Sequence, residues 1–85
     1  DFWAPWCGPC RALSPTVEKL AADYQGRLKV VKVNTEAAYE IAGSLRVSAV
    51  PTVMLFQGGK EVERMVGLRP EAKYREAICQ SVGVC

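Results

Sequence analysis

Leu13, Val17, Leu20, Ala21 and Tyr24 recur at helical spacing, which places them on one face of a helix. Glu18, Lys19 and Asp23 fall on other faces. Pro15 lies within this helix and lacks the N–H that would bond the Arg11 carbonyl, so a kink is expected there. Gly26 ends the helix. Before it, residues 1–4 are short and aromatic and read as the end of a strand. After it, residues 28–34 (LKVVKVN) are rich in β-branched side chains and predict a second strand. A second helix follows over 35–47, with Ala38, Ile41, Ala42 and Leu45 at helical spacing. Residues 50–57 (VPTVMLFQ) form an apolar run, which predicts a strand buried on both faces. Pro51 stands at its start, where a missing ladder donor is tolerated. Gly58-Gly59 signals a tight turn. Residues 60–66 return antiparallel and are more polar, as suits an edge strand. Gly67 closes that strand. Pro70 suits the first turn of a last helix, whose apolar face is Tyr74, Ala77, Ile78 and Val82.

The predicted order is strand, helix, strand, helix, strand, strand, helix. Its front half alternates as a parallel βαβ unit, and its back half is a hairpin followed by a helix. Together these imply an α/β fold with a central mixed β-sheet and helices on both faces. At 85 residues the chain is one small domain. Apolar residues make up 49% and charged residues 24%, the balance of a globular chain rather than a disordered one. A net charge of +2, without any Lys/Arg run, argues against nucleic acid as a partner. No apolar run approaches membrane-spanning length.

The chain has no histidine, which removes His-based acid–base catalysis, Cys–His nucleophile pairs and imidazole zinc sites. Its 4 cysteines are Cys7, Cys10, Cys79 and Cys85. Cys7 lies at a strand-to-helix junction, where unpaired N–H groups and the positive helix end favour a thiolate. Cys10 is one helical turn on, within reach of the Cys7 sulfur. Three readings of the pair compete. A zinc site would need Cys79 and Cys85 as the other ligands, and their spacing is wider than usual. A structural disulfide spanning so few residues restricts little chain entropy. Thiol–disulfide exchange fits the spacing and the helix end best, because the thiolate is the attacking species.

Taken together, the segments resemble the thioredoxin family. DFWAPWCGPCR, at residues 1–11, is similar to that family's active-site segment nearly residue for residue. VPT at Val50-Pro51-Thr52 looks like its cis-proline loop. VKVN ahead of that loop, the Gly-Gly hairpin and MVG ending at Gly67 fall in the family's order. The resemblance implies a thioredoxin fold and a protein-disulfide reductase. Cys7 would attack a partner's disulfide, and Cys10, the more buried of the two, would resolve the mixed disulfide and leave a Cys7–Cys10 disulfide. A separate reductase would re-reduce the pair, with no cofactor and no metal in this chain. Gly8-Pro9 between the cysteines matches the reducing variant of the motif.

By the same resemblance Pro51 is cis and faces the cysteines. Trp6, Gly8, Pro9, Ala49, Val50, Val66 and Gly67 would form the docking surface for the target chain. Asp1 matches the family's buried aspartate, which takes the proton from Cys10 through water, and burial of a carboxylate suits it to act as a base. Lys32 matches the lysine close to that aspartate, and Trp3 packs beside the site. Two rival readings are a thioredoxin-fold binding module without turnover and a disulfide oxidase or isomerase.

Cys79 and Cys85 lie outside the motif and are not expected to be catalytic. Cys79 sits off the apolar stripe, so partial exposure is expected, either as a surface thiol or in a regulatory or intermolecular disulfide. The resemblance also implies an N-terminally partial domain over 1–85, lacking the first strand and first helix. In a chain starting at Asp1, the adjacent α-amino group would favour the charged carboxylate. The implied partners are disulfide-containing proteins and a thioredoxin reductase, without nucleic acid or membrane. The implied protein is a monomer in the cytoplasm or in an organellar stroma or matrix.

Overall fold

The computed structural model describes residues 1–85. Its elements are β1 (Phe2–Trp3), α1 (Gly8–Asp23), β2 (Val33–Asn34), α2 (Tyr39–Ser44), β3 (Thr52–Gln57), β4 (Lys60–Val66) and α3 (Glu71–Val82). The four strands form one mixed sheet in the order β2-β1-β3-β4. β1 runs parallel to β2, and β3 is antiparallel to both β1 and β4.

Helix α1 buries the predicted stripe. Leu13, Val17, Leu20 and Tyr24 join Leu55, Met65, Tyr74 and Ile78 in the main core. Helices α1 and α3 therefore lie on the same face of β3 and β4. Two salt bridges tie them side by side, Lys19 to Glu71 at 3.5 Å and Asp23 to Arg75 at 2.5 Å. Pro15 lies inside α1 without ending it. On β4, Arg64 and Met65 point to opposite sides, as successive strand residues must. Met65 is buried in the α1/α3 core, whereas Arg64 donates to the carbonyls of Leu45 and Arg46 just after α2. Helix α2 thus covers the other face, and Arg64 satisfies carbonyls that the end of α2 leaves open.

Gly58 and Gly59 turn the β3–β4 hairpin with φ of 61° and 78°, the conformation such a two-residue turn demands. A bulge shifts the register between Leu55 and Phe56. Three sequence expectations need correction. The strand over 28–34 is reduced to Val33–Asn34, because its partner β1 begins at Phe2, which pairs with Val33. Residues 28–32 lie outside β2, with the Val31 carbonyl accepting the Asp1 amine ahead of β1. Strand β3 is buried only as far as Leu55, and Phe56 and Gln57 are exposed. No strand flanks that half of β3 opposite β4. An apolar cleft of about 210 Å³ opens there, walled by Leu28, Val30, Val53 and Leu55. Finally, the second helix is confined to Tyr39–Ser44 and buries only Ala42, while Ile41 faces solvent.

Candidate active site

The site is built where β1 gives way to α1. The backbone leaves the sheet after Trp3, and the N–H of Cys7 bonds the Ala4 carbonyl at 3.1 Å. Cys7 caps α1, and its sulfur accepts the N–H of Cys10 at 3.1 Å. A free N–H of the first helical turn is therefore spent on sulfur, an arrangement that favours negative charge on it. Pro9 occupies the first turn, where its missing N–H costs nothing. Cys7 and Cys10 are joined as a disulfide with Cα atoms 5.3 Å apart.

The expected difference in burial between the two cysteines is absent. Cys7 is 3% exposed and Cys10 5%. Both lie in a small cluster with Ala4, covered by Trp3 and Val50. In the disulfide state both residues are buried alike. Trp6 is the open part of the rim, 69% exposed, with its indole N–H donating to Glu36 Oε2 at 2.7 Å. Sequence reasoning missed Glu36, which is thirty residues away and carries no local signal.

The proline loop comes to the same place. The Val50–Pro51 peptide is cis, and Val50 packs on the cysteine cluster. Pro51 is buried, while Ala49 is exposed beside it. Gly67, with φ of 89°, donates its N–H to the Pro51 carbonyl at 2.8 Å. Val66 next to it is exposed. The structure thus brings Val50 onto the cysteine pair and Gly67 onto Pro51, with Gly8 and Pro9 following Cys7 in the first turn of α1.

Behind the pair lies a second cavity of about 220 Å³, lined in part by Asp1, Trp3, Cys10, Ser14 and Lys32. Asp1 Oδ1 and Trp3 Nε1 are buried and have no protein hydrogen-bond partner. A cavity of this size with such walls admits water. Lys32 Nζ donates to Ser14 Oγ at 2.9 Å and stands 6.0 Å from the Trp3 ring centre. Asp1 and Lys32 therefore border one space without forming an ion pair.

The α-amino group of Asp1 donates to the Val31 carbonyl at 2.9 Å. Burial, helped by the charge of Lys32, lowers its pKa from 8.0 to about 6.

No three His, Cys, Asp or Glu side chains stand close enough together to hold a metal ion. Cys79 and Cys85, the remaining candidates for a zinc site, are bonded to each other.

The Thioredoxin family model matches residues 1–80. The chain belongs to the thioredoxin family. It is 44% identical over 78 residues to thioredoxin 1 of Nostoc sp., covering 92% of this chain and 73% of that one. Against the chloroplastic M-type thioredoxin of Chlamydomonas reinhardtii it is 46% identical, covering 92% of this chain and 56% of that one. The crystal structure of a thioredoxin from Nicotiana alata superposes with a TM-score of 0.89 at 34% identity, covering 95% of this chain and 69% of that one. The chain thus spans between about half and three quarters of the length of these thioredoxins. Family and fold make it a thiol–disulfide oxidoreductase with Cys7 and Cys10 as its C-x-x-C pair. No helix is long and apolar enough to cross a membrane.

Proposed function

We propose that this thioredoxin reduces disulfide bonds in other proteins, with Cys7 as nucleophile and Cys10 as resolving thiol. The observation that carries the reading is the Cys7 sulfur at the α1 N-cap, holding the Cys10 N–H, with Val50 packed over the pair and Trp6 and Val66 exposed. A target chain lies along the rim with its disulfide over Cys7. The Cys7 thiolate attacks one target sulfur, and the other leaves as a thiolate and takes up a proton. Cys10 then loses its proton and attacks the Cys7 sulfur. The second target thiol is released, and Cys7–Cys10 becomes the disulfide seen here. A separate dithiol reductase resets it.

Asp1 is the proton acceptor in this scheme. It shares the inner cavity with Cys10, and its unpartnered Oδ1 can take the Cys10 proton through water. Lys32 and Trp3 shape the cavity wall. The chain acts as a monomer in the cytoplasm or in an organelle such as the chloroplast, the compartment named for the Chlamydomonas relative.

The test is dithiothreitol-driven insulin reduction by the 85-residue chain, with circular dichroism on the same sample. A folded spectrum with activity is expected, and a folded, inactive chain would overturn the reading in favour of a binding module. Asp1→Asn should lower turnover at pH 7 roughly tenfold or more, as loss of a general base does. The deficit should shrink as pH rises and Cys10 ionises unaided. A deficit that stays constant with pH would remove Asp1 from the proton path.

A further inference from the structure

A second disulfide joins Cys79, in the last turn of α3, to Cys85. Helix α3 ends at Gly83, whose left-handed conformation turns the chain back and whose N–H bonds the Cys79 carbonyl at 3.1 Å. The returning segment is held on the protein. Val82 and Val84 pack against the main core, and Gln57 Nε2 donates to the Val82 carbonyl at 3.4 Å. Cys85 is exposed, and Cys79 is half-buried.

The place of this disulfide follows from the helix pair. Glu71 and Arg75 of α3 meet Lys19 and Asp23 of α1, so the two helices run side by side in the same direction. Thirteen residues separate Cys10 from Asp23, roughly 20 Å along the axis, and Cys79 lies a further turn beyond Arg75. The two disulfides therefore sit at opposite poles and cannot exchange within one molecule. Their electrostatic settings are also opposite. Cys7 caps a helix N-terminus, which favours a thiolate, whereas Cys79 lies at a helix C-terminus, which disfavours one.

We propose that Cys79–Cys85 is a second thiol–disulfide exchange site, reduced by external dithiols only after Cys7–Cys10, and that its oxidised form clasps the segment after α3 onto the core. A dithiol's thiolate attacks the exposed Cys85 sulfur. The disulfide breaks, and its electron pair goes to the Cys79 sulfur, which takes a proton from water. The dithiol's second thiolate then attacks the first, closing the dithiol to a disulfide and releasing Cys85 as a thiolate that is protonated in turn. Two electrons pass from the dithiol to the protein. Two features make this reduction harder than that of Cys7–Cys10. The departing Cys79 thiolate faces the negative helix end, and the packed Val84 keeps the two sulfurs together. The site does not depend on turnover at Cys7.

The test equilibrates the folded chain in dithiothreitol buffers of rising reduced-to-oxidised ratio, quenches with N-ethylmaleimide and locates the labels by peptide mass spectrometry. Cys7 and Cys10 should label together first. Cys79 and Cys85 should label together at a ratio about tenfold higher, the size of two opposed helix-end effects. The second midpoint should be unchanged in the Cys7→Ser/Cys10→Ser protein. Reduction there should lower the thermal midpoint and speed amide exchange at Val82 and Val84. The Cys79→Ser/Cys85→Ser protein should match that lowered midpoint and keep its insulin activity. Four results would overturn the proposal: labelling of Cys79 and Cys85 before Cys7 and Cys10, free thiols there in the oxidised protein, covalent dimers through Cys85, or a pair that resists every ratio while the chain stays folded.

Discussion

A Cys7→Ser protein is expected to reduce insulin no faster than dithiothreitol alone. Serine keeps the cap geometry, since its oxygen can accept the Cys10 N–H as the sulfur does. It has no accessible anion near neutral pH and cannot form the mixed disulfide. Cys10→Ser should behave differently. Its Cys7 still attacks, but nothing resolves the product, so covalent Cys7–target adducts accumulate. Non-reducing electrophoresis followed by mass spectrometry identifies them. Undiminished activity in the Cys7→Ser protein would refute the assigned chemistry. Adducts trapped on Cys10 in the Cys7→Ser protein would reverse the roles of the two sulfurs.

Leu13→Ala should cost about 2–5 kcal/mol. Leu13 is only 1% exposed and stands where α1 meets the sheet. Total stability for a chain of this size is on the order of 4–13 kcal/mol, so the variant forfeits a large share. Its thermal midpoint should fall by roughly 10 °C or more. Urea unfolding with unchanged slope and a lower midpoint is the readout. Phe56→Ala provides the contrast, because Phe56 is 44% exposed at the end of β3 and should cost far less. Equal losses at the two positions would mean that the core lies elsewhere.

Helix α1 and the β3–β4 hairpin were legible because their signals are local. The stripe Leu13, Val17, Leu20 and Tyr24 has one period, and Gly58-Gly59 can make few other turns. The cysteine pair was legible for the same reason. Residues 28–32 were misread because a strand needs a neighbour, and propensity does not say whether one is present. Helix α2 was overextended because Ile41 and Leu45 fit a helical stripe that the fold does not bury in full. The Trp6–Glu36 bond joins residues thirty apart and has no sequence signature. The relative burial of Cys7 and Cys10 depends on the cover of Trp3 and Val50, which no local pattern reports. The Cys79–Cys85 bond, where a surface thiol or a regulatory or intermolecular disulfide was expected, depends on the turn at Gly83 that brings Cys85 back to α3.

The rim around the cysteines is tied down from below. Gly67 bonds Pro51, and the Tyr74 hydroxyl accepts the Arg69 N–H and donates to the Gly67 carbonyl, anchoring both loops to α3. On the docking proposed above, little motion is left for the protein to lose when a target arrives. The ordering cost of the encounter falls on the target. A disulfide in a slack loop can adopt the extended path the rim requires, whereas one inside a rigid sheet must first be torn free. Selection among targets is then a matter of their local looseness more than of their sequence, and partial unfolding of a substrate should act as an accelerator.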